Sequence, residues 1–367
     1  MRVLLEDGFS VEKGTGVGRY TQSLANELAG HPEFELLLQP APGWIRNMRP
    51  LLLRRIAYAA WLETGFQDQI RRLVPDVVHF TNYLVPRTRR AQTRYAVTIH
   101  DLTAWKLPGA LPSMYARYIR LAITRAVKFA DVILCDSHAV RNEVIERFGL
   151  DGNRVRTAWY GSACLPAVSN ETQEQLLRTF EDKFGLRKPF VLFVGTLERR
   201  KNIVTLIKAF AQMSKASELQ LVLAGRPGFG FSEIEAAIRH QPRPERYVLT
   251  GYVTDDELAA LYSQAALFVY PSLYEGFGIP LVEAMGIGLP IVASRIPASE
   301  EVAGDAAVYY DDPLDEAALA ARIDEVFSNS SIQAELALRG KQRAERFRWE
   351  NVVGMYIDAY RSSLINR

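Results

Sequence analysis

The sequence predicts an α/β fold built from two doubly wound domains. Short apolar or β-branched runs alternate with longer helical patterns in residues 1–160, and the same alternation returns from residue 190 onward. Strands that alternate with helices form parallel sheets with both faces covered. A polar, proline-bounded segment separates the two series, and 367 residues exceed the size at which one core stops growing. Two such domains facing one another would enclose a central cleft.

Each predicted strand is a short apolar run. The first series contains RVLLE, DVVHF, YAVTIHD, DVILC and VRTAWY, and the second contains FVLFVG, LQLVLAG, RYVLTG, LFVYPS, PIVAS and AVYY. Ligands of doubly wound sheets bind outside the carboxyl ends of the strands. The residues that directly follow each run are therefore the candidates for function.

Composition excludes several classes of protein. The net charge of +2 is too small to favour nucleic acid, although residues 1–165 hold 22 basic and 15 acidic residues and the remainder holds 22 and 27. Two cysteines, Cys135 and Cys164, predict neither a disulfide framework nor a metal site, which favours a reducing compartment. The N-terminal apolar run is too short for a signal peptide, and no run reaches 18 apolar residues. We therefore expect a cytoplasmic protein, with peripheral attachment to the inner face of the plasma membrane as an option.

A glycine-rich loop precedes the first predicted helix, at residues 17–29. The segment GTGVGRY places Gly14, Gly16 and Gly18 where backbone amides could approach an anion. A plain flexible loop explains the same pattern.

Polar side chains follow two further strands. His100 and Asp101 follow YAVTIHD, where a simple cap of the strand is the alternative. Arg199, Arg200 and Lys201 follow FVLFVG and precede a helix, where an ordinary solvated run of charge is the alternative. At a strand end these cations indicate a diphosphate ligand.

The segment EGFGIPLVEA carries two carboxylates around a glycine turn. Glu275 follows the strand LFVY, Gly276 and Gly278 keep the backbone open, and Glu283 lies one turn into a helix. Helix N–H groups can donate hydrogen bonds to phosphate oxygens, and carboxylates accept hydrogen bonds from hydroxyls, so the pair could bind a ribose and a hexose. A salt-bridged structural pair is the alternative.

These motifs, in this order, resemble the retaining glycosyltransferases of family 4, which have the GT-B fold. The resemblance covers nearly the whole chain, and the segments that carry it are GTGVGRYTQSLANEL, FTNYLVP, IHDLTAW, DVILCDSHAVRNEV, FVGTLERRKNIVTLIKAF, GYVTDDELAALYSQA, EGFGIPLVEA and FRWENVVGMYIDAYRSSL. It implies an acceptor-binding domain at 1–168 and a nucleotide-sugar-binding domain at 169–349. It also implies a closing helix at about 350–367 that returns to the first domain.

The resemblance also implies roles for individual residues. Glu283 would bind the ribose and Glu275 the transferred hexose. Lys201 and Arg200 would balance the diphosphate. The remaining implied positions are the Gly16 amide at the diphosphate, His100 beside the hexose, the backbone at Tyr252 and Val253 beside the base, and Gly276, Phe277, Gly278 and Leu281 in the donor site. Many relatives carry Arg after the glycine of the diphosphate strand, whereas this chain carries Thr196, so the charge must come from Arg200 and Lys201.

The implied reaction needs no metal ion and no cofactor. Breaking the anomeric bond places negative charge on the leaving nucleotide, which a fixed cluster of cations stabilises. No carboxylate is clearly placed as a nucleophile, so the hypothesis is same-face attack, with the departing phosphate helping to deprotonate the acceptor. The motif variants look most like members that use GDP-mannose or GDP-6-deoxyhexoses to build bacterial surface polysaccharide such as O-antigen. A UDP-sugar donor, a nucleotide-sugar epimerase, a phosphorylase and a non-catalytic scaffold are the alternatives.

One segment indicates a partner beyond the donor. Residues 44–61, WIRNMRPLLLRRIAYAAW, contain four arginines, two tryptophans and no acid. This composition is typical of a basic amphipathic segment that lies on anionic lipid. If the segment contacts a membrane, the acceptor of the transferase would be a lipid-linked oligosaccharide. A core helix with solvated arginines is the alternative.

Overall fold

The chain divides into two compact units. The structure, a computed structural model, describes residues 1–6, 16–49, 51–161, 169–214 and 219–365. Unit 1 comprises Met1–Trp105, Ser113–Gly161 and Trp349–Arg367, and unit 2 comprises Lys106–Pro112 and Ser162–Arg348.

The segment Lys106–Pro112 departs from the predicted domain boundaries. The sequence assigns it to the N-terminal domain, but it belongs to unit 2. The guanidinium of Arg199 donates a hydrogen bond of 3.2 Å to the carbonyl oxygen of Gly109, which ties this segment to unit 2. No sequence pattern signals such a contact, because its partners are 90 residues apart.

The first half of the chain alternates strands and helices. Its strands are β1 (Arg2–Glu6), β2 (Glu35–Gln39), β3 (Val77–Phe80), β4 (Arg94–Ile99), β5 (Val132–Cys135) and β6 (Val155–Thr157). Its helices are α1 (Gly16–Gly30), α2 (Gly43–Arg46), α3 (Leu51–Glu63), α4 (Gly65–Leu73), α5 (Thr103–Lys106), α6 (Ser113–Phe129) and α7 (His138–Phe148).

The second half repeats the pattern. Its strands are β7 (Phe190–Val194), β8 (Gln220–Ala224), β9 (Tyr247–Gly251), β10 (Leu267–Tyr270), β11 (Ile291–Ser294) and β12 (Val308–Tyr310). Its helices are α8 (Asn170–Phe184), α9 (Ile203–Gln212), α10 (Phe231–Arg239), α11 (Asp255–Gln264), α12 (Ile279–Ile287), α13 (Pro297–Ala303), α14 (Glu316–Ser328), α15 (Ser330–Ala344) and α16 (Trp349–Ile365).

Two six-stranded sheets confirm the predicted doubly wound α/β class. Their strand orders are β2-β1-β3-β4-β5-β6 and β12-β11-β10-β7-β8-β9, and every named strand pair is parallel. The order reverses between β1 and β3 in the first sheet and between β7 and β10 in the second. Such a reversal opens a crevice at the carboxyl ends of the two flanking strands.

Burial explains why most strands could be recognised. Strands β3, β5, β7, β10 and β11 are buried at every position, so they read as unbroken apolar runs. The sequence pattern does not predict strand β2, which lies at the edge of the first sheet, because its residues are only partly buried or are exposed.

The last helix, α16, completes unit 1, as predicted. It packs against β4 and β5. The Nδ1 atom of buried His79 lies 2.8 Å from the hydroxyl of Tyr360, and its Nε2 atom lies 2.7 Å from Oγ1 of Thr98. Burial lowers the pKa of His79 to about 3, so the ring is neutral and exchanges hydrogen bonds with two hydroxyls.

The segment at 44–61 is partly core and partly surface. Ile45, Tyr58 and Trp61 are buried, whereas Trp44, Leu53 and Ile56 are half-exposed or more. Pro50 and the side chain of Arg55 lie outside the described residues. Among the described residues, no helix combines the length and apolar character needed to cross a membrane.

Candidate active site

The carboxyl edge of the second sheet brings three predicted residues together. Strands β7 and β10 are neighbours at the reversal point, so the segments that follow them run side by side. The backbone N–H of Leu273 donates to the carbonyl oxygen of Arg200 at 2.9 Å. This contact holds the basic segment 199–201 against the segment that carries Glu275.

Glu275 is a buried carboxylate between two cations. The ammonium of Lys201 lies 2.5 Å from Oε1, and the guanidinium of Arg200 donates to Oε2. Glu275 and Lys201 are each only 7% exposed, so the pair is shielded from water. Burial opposes ionisation of Glu275, but the charges of Arg200 and Lys201 outweigh it and lower the pKa of this carboxyl to about 2. Glu275 is therefore ionised throughout the physiological range.

Lys201 is held in a fixed position by its surroundings. It ends the 3₁₀ helix Arg199–Lys201, directly before α9, and its ammonium lies 5.5 Å from the ring centroid of Tyr270. Burial lowers the pKa of Lys201, and the neighbouring Arg200 adds to that effect, while Glu275 opposes it. The hydrogen-bonded pair with Glu275 keeps the ammonium charged at this site.

A fourth charged residue was not predicted for this site. Glu198 accepts hydrogen bonds from Nε of Arg200 at 3.0 Å and forms an ion pair with its Nη2 at 2.8 Å. Glu198, Arg200, Lys201 and Glu275 together carry no net charge. The cluster thus offers an incoming anion two oriented cations, each already paired with a carboxylate.

The turn after β8 requires glycine. Gly225, directly after β8, has φ +155°, and a Cβ atom there would lie 1.8 Å from the carbonyl oxygen of Gly195. Only glycine therefore permits this close approach between the turns that follow β7 and β8. Thr196, in place of the arginine of many relatives, follows Gly195 and is exposed.

The second predicted carboxylate, Glu283, lies in the first half of α12. It is buried, and Tyr262 of α11 donates its hydroxyl to Oε2 at 3.1 Å. Gly278 caps the helix with φ +125°, a conformation that L side chains rarely adopt. Pro280 in the first turn suits a helix start. Glu283 is thus held by Tyr262 one turn into α12.

The other predicted residues of this half lie between β10 and α12, in the first turn of α12, or directly after the edge strand β9. Gly276, Phe277 and Leu281 are buried. Tyr252 and Val253 follow β9, and the ring of Tyr252 is half exposed beneath the guanidinium of Arg226, 4.2 Å from the ring centroid. No sequence pattern predicts the contacts of Tyr262 with Glu283 or of Arg226 with Tyr252.

His100 lies in unit 1, at the carboxyl end of β4. Its Nδ1 atom is 2.6 Å from Oδ2 of Asp136, and its Nε2 atom is 2.8 Å from the carbonyl oxygen of Thr81. A carbonyl and a carboxylate both accept, so an imidazolium that donates from both nitrogens satisfies the site. Burial acts to lower the pKa of His100, but Asp136 outweighs it, so the pKa is raised. Asp136 directly follows β5, and the strand-end rule could have identified it.

Gly16 begins α1 and is exposed. A Cβ atom at Gly16 would meet nothing within 4 Å, so packing among the described residues does not require glycine there. Gly14 lies outside the described residues. Within the part of the chain that the structure describes, no group of three or more His, Cys, Asp or Glu side chains could hold a metal ion.

Family models match both halves of the chain. The model described as Glycosyltransferase Family 4 matches residues 14–161, and the model described as Glycosyl transferases group 1 matches residues 178–345.

Curated relatives include mannosyltransferases. The O-antigen chain mannosyltransferase B of Escherichia coli is 29% identical, over 95% of this chain and 96% of the relative. The serotype-specific mannosyltransferase WbdA of Escherichia coli is 28% identical over 63% of this chain, and the match spans 29% of that longer protein.

Solved structures share the fold. Sucrose-phosphate synthase from Thermosynechococcus elongatus superposes with a TM-score of 0.77 over 100% of both chains at 20% identity. HepE of Anabaena in complex with UDP-glucose superposes with a TM-score of 0.75 over 99% of both chains at 19% identity.

Replacing Lys201 with Met should destabilise the protein, because it removes a buried partner of Glu275. We expect a loss of about 3 kcal/mol at pH 7, since breaking a buried ion pair leaves a charge uncompensated. In the wild type, Glu275 contributes stability that is present above pH 4.5 and is lost as the pH falls toward 2. The deficit of the variant should therefore shrink below pH 4.5. Urea unfolding between pH 7 and about pH 3 measures the deficit on both sides of pH 4.5.

Lys208→Met is the matched control, because Lys208 lies on α9 and is half exposed in a pair with Glu316. It should cost under about 1 kcal/mol at every pH. Equal losses for the two variants would contradict the role given to Glu275.

Proposed function

We propose that this chain, which belongs to the family 4 glycosyltransferases, transfers a mannosyl group from a GDP-linked donor to a saccharide acceptor in O-antigen synthesis. The observation that carries the proposal is the buried cluster of Lys201, Arg200 and Glu275 at the reversal point of the second sheet. The names of the matched mannosyltransferases support the choice of sugar and product.

The cluster suits the departure of a nucleoside diphosphate. When the bond between the anomeric carbon and the phosphate oxygen breaks, the electron pair stays on that oxygen. Lys201 and Arg200 are preorganised cations in a water-poor site, so they stabilise the charge that develops there without rearranging. These fixed cations take the place that a metal ion has in other transferases, so we infer that transfer requires neither a metal ion nor a cofactor.

Glu283 is the proposed ribose ligand. Its carboxylate is held by Tyr262 one turn into α12, so it can accept hydrogen bonds from two hydroxyls while the N–H groups at the start of the helix donate to the diphosphate. Tyr252 with Arg226 forms an exposed stacked pair for the base.

Calorimetry tests the donor. We expect GDP and GDP-mannose to bind in buffer containing EDTA, and Glu283→Gln to weaken that binding about 10- to 100-fold, because a hydrogen bond to a charged group contributes about 1.5–3 kcal/mol. The substitution keeps an acceptor for Tyr262. Glu335→Gln, on exposed surface of α15, is the control and should bind as the wild type does.

The donor panel also includes UDP and UDP-glucose. Preferential binding of the UDP compounds would replace the proposed donor. Binding of no nucleotide would refute the proposed function, and binding that appears only when a divalent ion replaces EDTA would refute the metal-free site.

We further propose that transfer retains the anomeric configuration by same-face attack. In this step the acceptor oxygen bonds to the anomeric carbon on the face from which the diphosphate departs, and a departing phosphate oxygen takes the acceptor proton. Glu275 is already bound by two cations, so it is a poor nucleophile.

A slow 2-deoxy-2-fluoro donor checks this mechanism by mass spectrometry of the intact protein. We expect no added mass, because no glycosyl group becomes attached to the chain. A covalent adduct on Glu275 or on any other residue would contradict same-face attack. A radiolabelled product formed over the same incubation shows that the donor is being used.

Segment 44–61 is our proposed contact with anionic lipid. Trp44 is 62% exposed, Leu53 and Ile56 are half exposed or more, and Arg46 and Arg49 are exposed beside them. Apolar groups next to arginines suit insertion at a membrane surface carrying negative charge. Such a contact would place the protein at the inner face of the plasma membrane.

Sedimentation with liposomes tests that contact. We expect binding to vesicles with phosphatidylglycerol, little binding to phosphatidylcholine alone, and a fall of about tenfold in the double variant Trp44→Ala/Arg49→Gln. The matched control is Val74→Ala/Arg72→Gln, which removes one exposed apolar and one exposed basic residue elsewhere in unit 1. Equal binding by both double variants would remove segment 44–61 from the proposal.

A further inference from the structure

Strand β2 is an open edge of the first sheet. It pairs with β1 on one side, and no other strand of the described residues pairs with its second side. Its five residues, ELLLQ, are exposed or only partly buried, and Leu38 is 47% exposed. An edge of this kind presents a row of backbone N–H and C=O groups to a strand that approaches it.

The pairing with β1 determines which backbone groups of β2 point outward. The N–H of Glu35 donates to the carbonyl oxygen of Met1 at 3.0 Å, and the parallel register continues without a shift to Gln39. In a parallel pair, alternate residues direct both of their backbone groups to the same neighbour. The N–H and C=O groups of Leu36 and Leu38 therefore point away from β1. Within the described part of the chain, these outward groups have no hydrogen-bond partner.

The edge lacks the features that commonly keep edge strands apart. Residues 35–39, all of which the structure describes, contain no proline, no lysine and no bulge. Their one charged side chain, Glu35, is paired with Arg2, whose Nε atom lies 3.1 Å from Oε2. The edge therefore offers hydrogen bonds and apolar side chains without an uncompensated charge, which suits a second strand of the same composition.

We propose that β2 binds β2 of a second copy of this chain. A closed dimer of identical chains has twofold symmetry, and a twofold axis between two β2 strands makes them antiparallel. The dimer would join the first sheets of both copies into one sheet, with six strands from each copy. Strand β2 belongs to unit 1, whereas the cation cluster and Glu283 belong to unit 2, so this interface does not depend on the proposed function.

Only one register uses all of the outward groups. With the axis through Leu37, Leu36 of one copy faces Leu38 of the other, and each such pair exchanges both of its hydrogen bonds. An axis through Leu36 would engage Phe34, whose N–H already donates to another carbonyl at 3.1 Å. An axis through Leu38 would engage Pro40, which has no N–H. The backbone therefore selects the axis through Leu37.

The side chains fit the same register. Leu36 and Leu38 of both copies would lie together on one face of the sheet, which removes the exposed surface of Leu38 from water. On the other face, Glu35 of one copy would lie opposite Gln39 of the other, whose amide can donate to the carboxylate. The two Leu37 side chains would meet at the axis, each beside the core of its own sheet.

Sedimentation velocity over a range of protein concentrations tests the dimer. We expect a reversible equilibrium between monomer and dimer. Leu38→Lys should raise the dissociation constant at least about tenfold, because it places a charge among the paired leucines. The matched control is Leu338→Lys, which changes an exposed leucine of α15 in the same way and should leave the constant unchanged. A wild-type chain that is monomeric at every concentration, or equal constants for the two variants, would overturn the proposal.

Hydrogen exchange tests the contact in the wild-type chain, where a folding defect cannot mimic the result. The amides of Leu36 and Leu38 should exchange more slowly at concentrations that favour the dimer. The amide of Glu35, which binds β1, should exchange at the same rate at all concentrations. Protection that depends on concentration at another surface, with none at Leu36 and Leu38, would overturn the proposed interface.

Cysteine cross-linking tests the register. The two copies of residue 37 would face each other at about 4.5 Å between Cα atoms, within reach of a disulfide. In a Cys164→Ser background, where Cys135 is buried, Leu37→Cys should therefore form a disulfide between chains under mild oxidation. Leu36→Cys should not, because its two copies would lie about 7–8 Å apart. Efficient cross-linking at residue 36 instead of residue 37 would overturn the proposed axis.

Discussion

The buried contact between Glu275 and its two cations is the constraint on which the candidate site depends. It joins residues 74 and 75 positions apart in the chain, and it forms only because β7 and β10 are neighbours in the sheet. A carboxylate at this depth is tolerable only with compensation, and the same compensation fixes the cations. Structural stability and the orientation of the two cations therefore depend on a single set of hydrogen bonds.

The cluster of Glu198, Arg200, Lys201 and Glu275 carries no net charge, and this affects how it could bind an anion. With Glu198 included, two cations face two carboxylates, so the cluster does not attract anions strongly by net charge. Under the proposed function, a diphosphate would gain its affinity from oriented dipoles, from helix amides and from redistribution of hydrogen bonds within the cluster. Such a site would stabilise a leaving group whose negative charge increases in the transition state more than it stabilises the donor in the ground state.

The sequence predicted the strands and the strand-end residues well, because strands buried on both faces are unbroken apolar runs. It did not predict β2, which is only half buried, or the position of Lys106–Pro112, which depends on a contact of Arg199. It located Lys201 and Glu275 at strand ends, but their pairing follows from strand order. Asp136 could have been identified in the same way, because it directly follows β5, whereas Glu198 and Tyr262 have no pattern of their own until three-dimensional contacts identify them.

Helix α16 has a consequence for how the chain is made. The hydrogen bond between His79 and Tyr360 spans 281 residues, and the intervening chain includes the whole second sheet. Long-range contacts of this kind form late, because a large loop must first be closed. During synthesis unit 2 can acquire its core while unit 1 still lacks a helix against β4 and β5. The strands of unit 1 are thus synthesised before unit 2, but the packing of unit 1 is completed only after unit 2 has been synthesised.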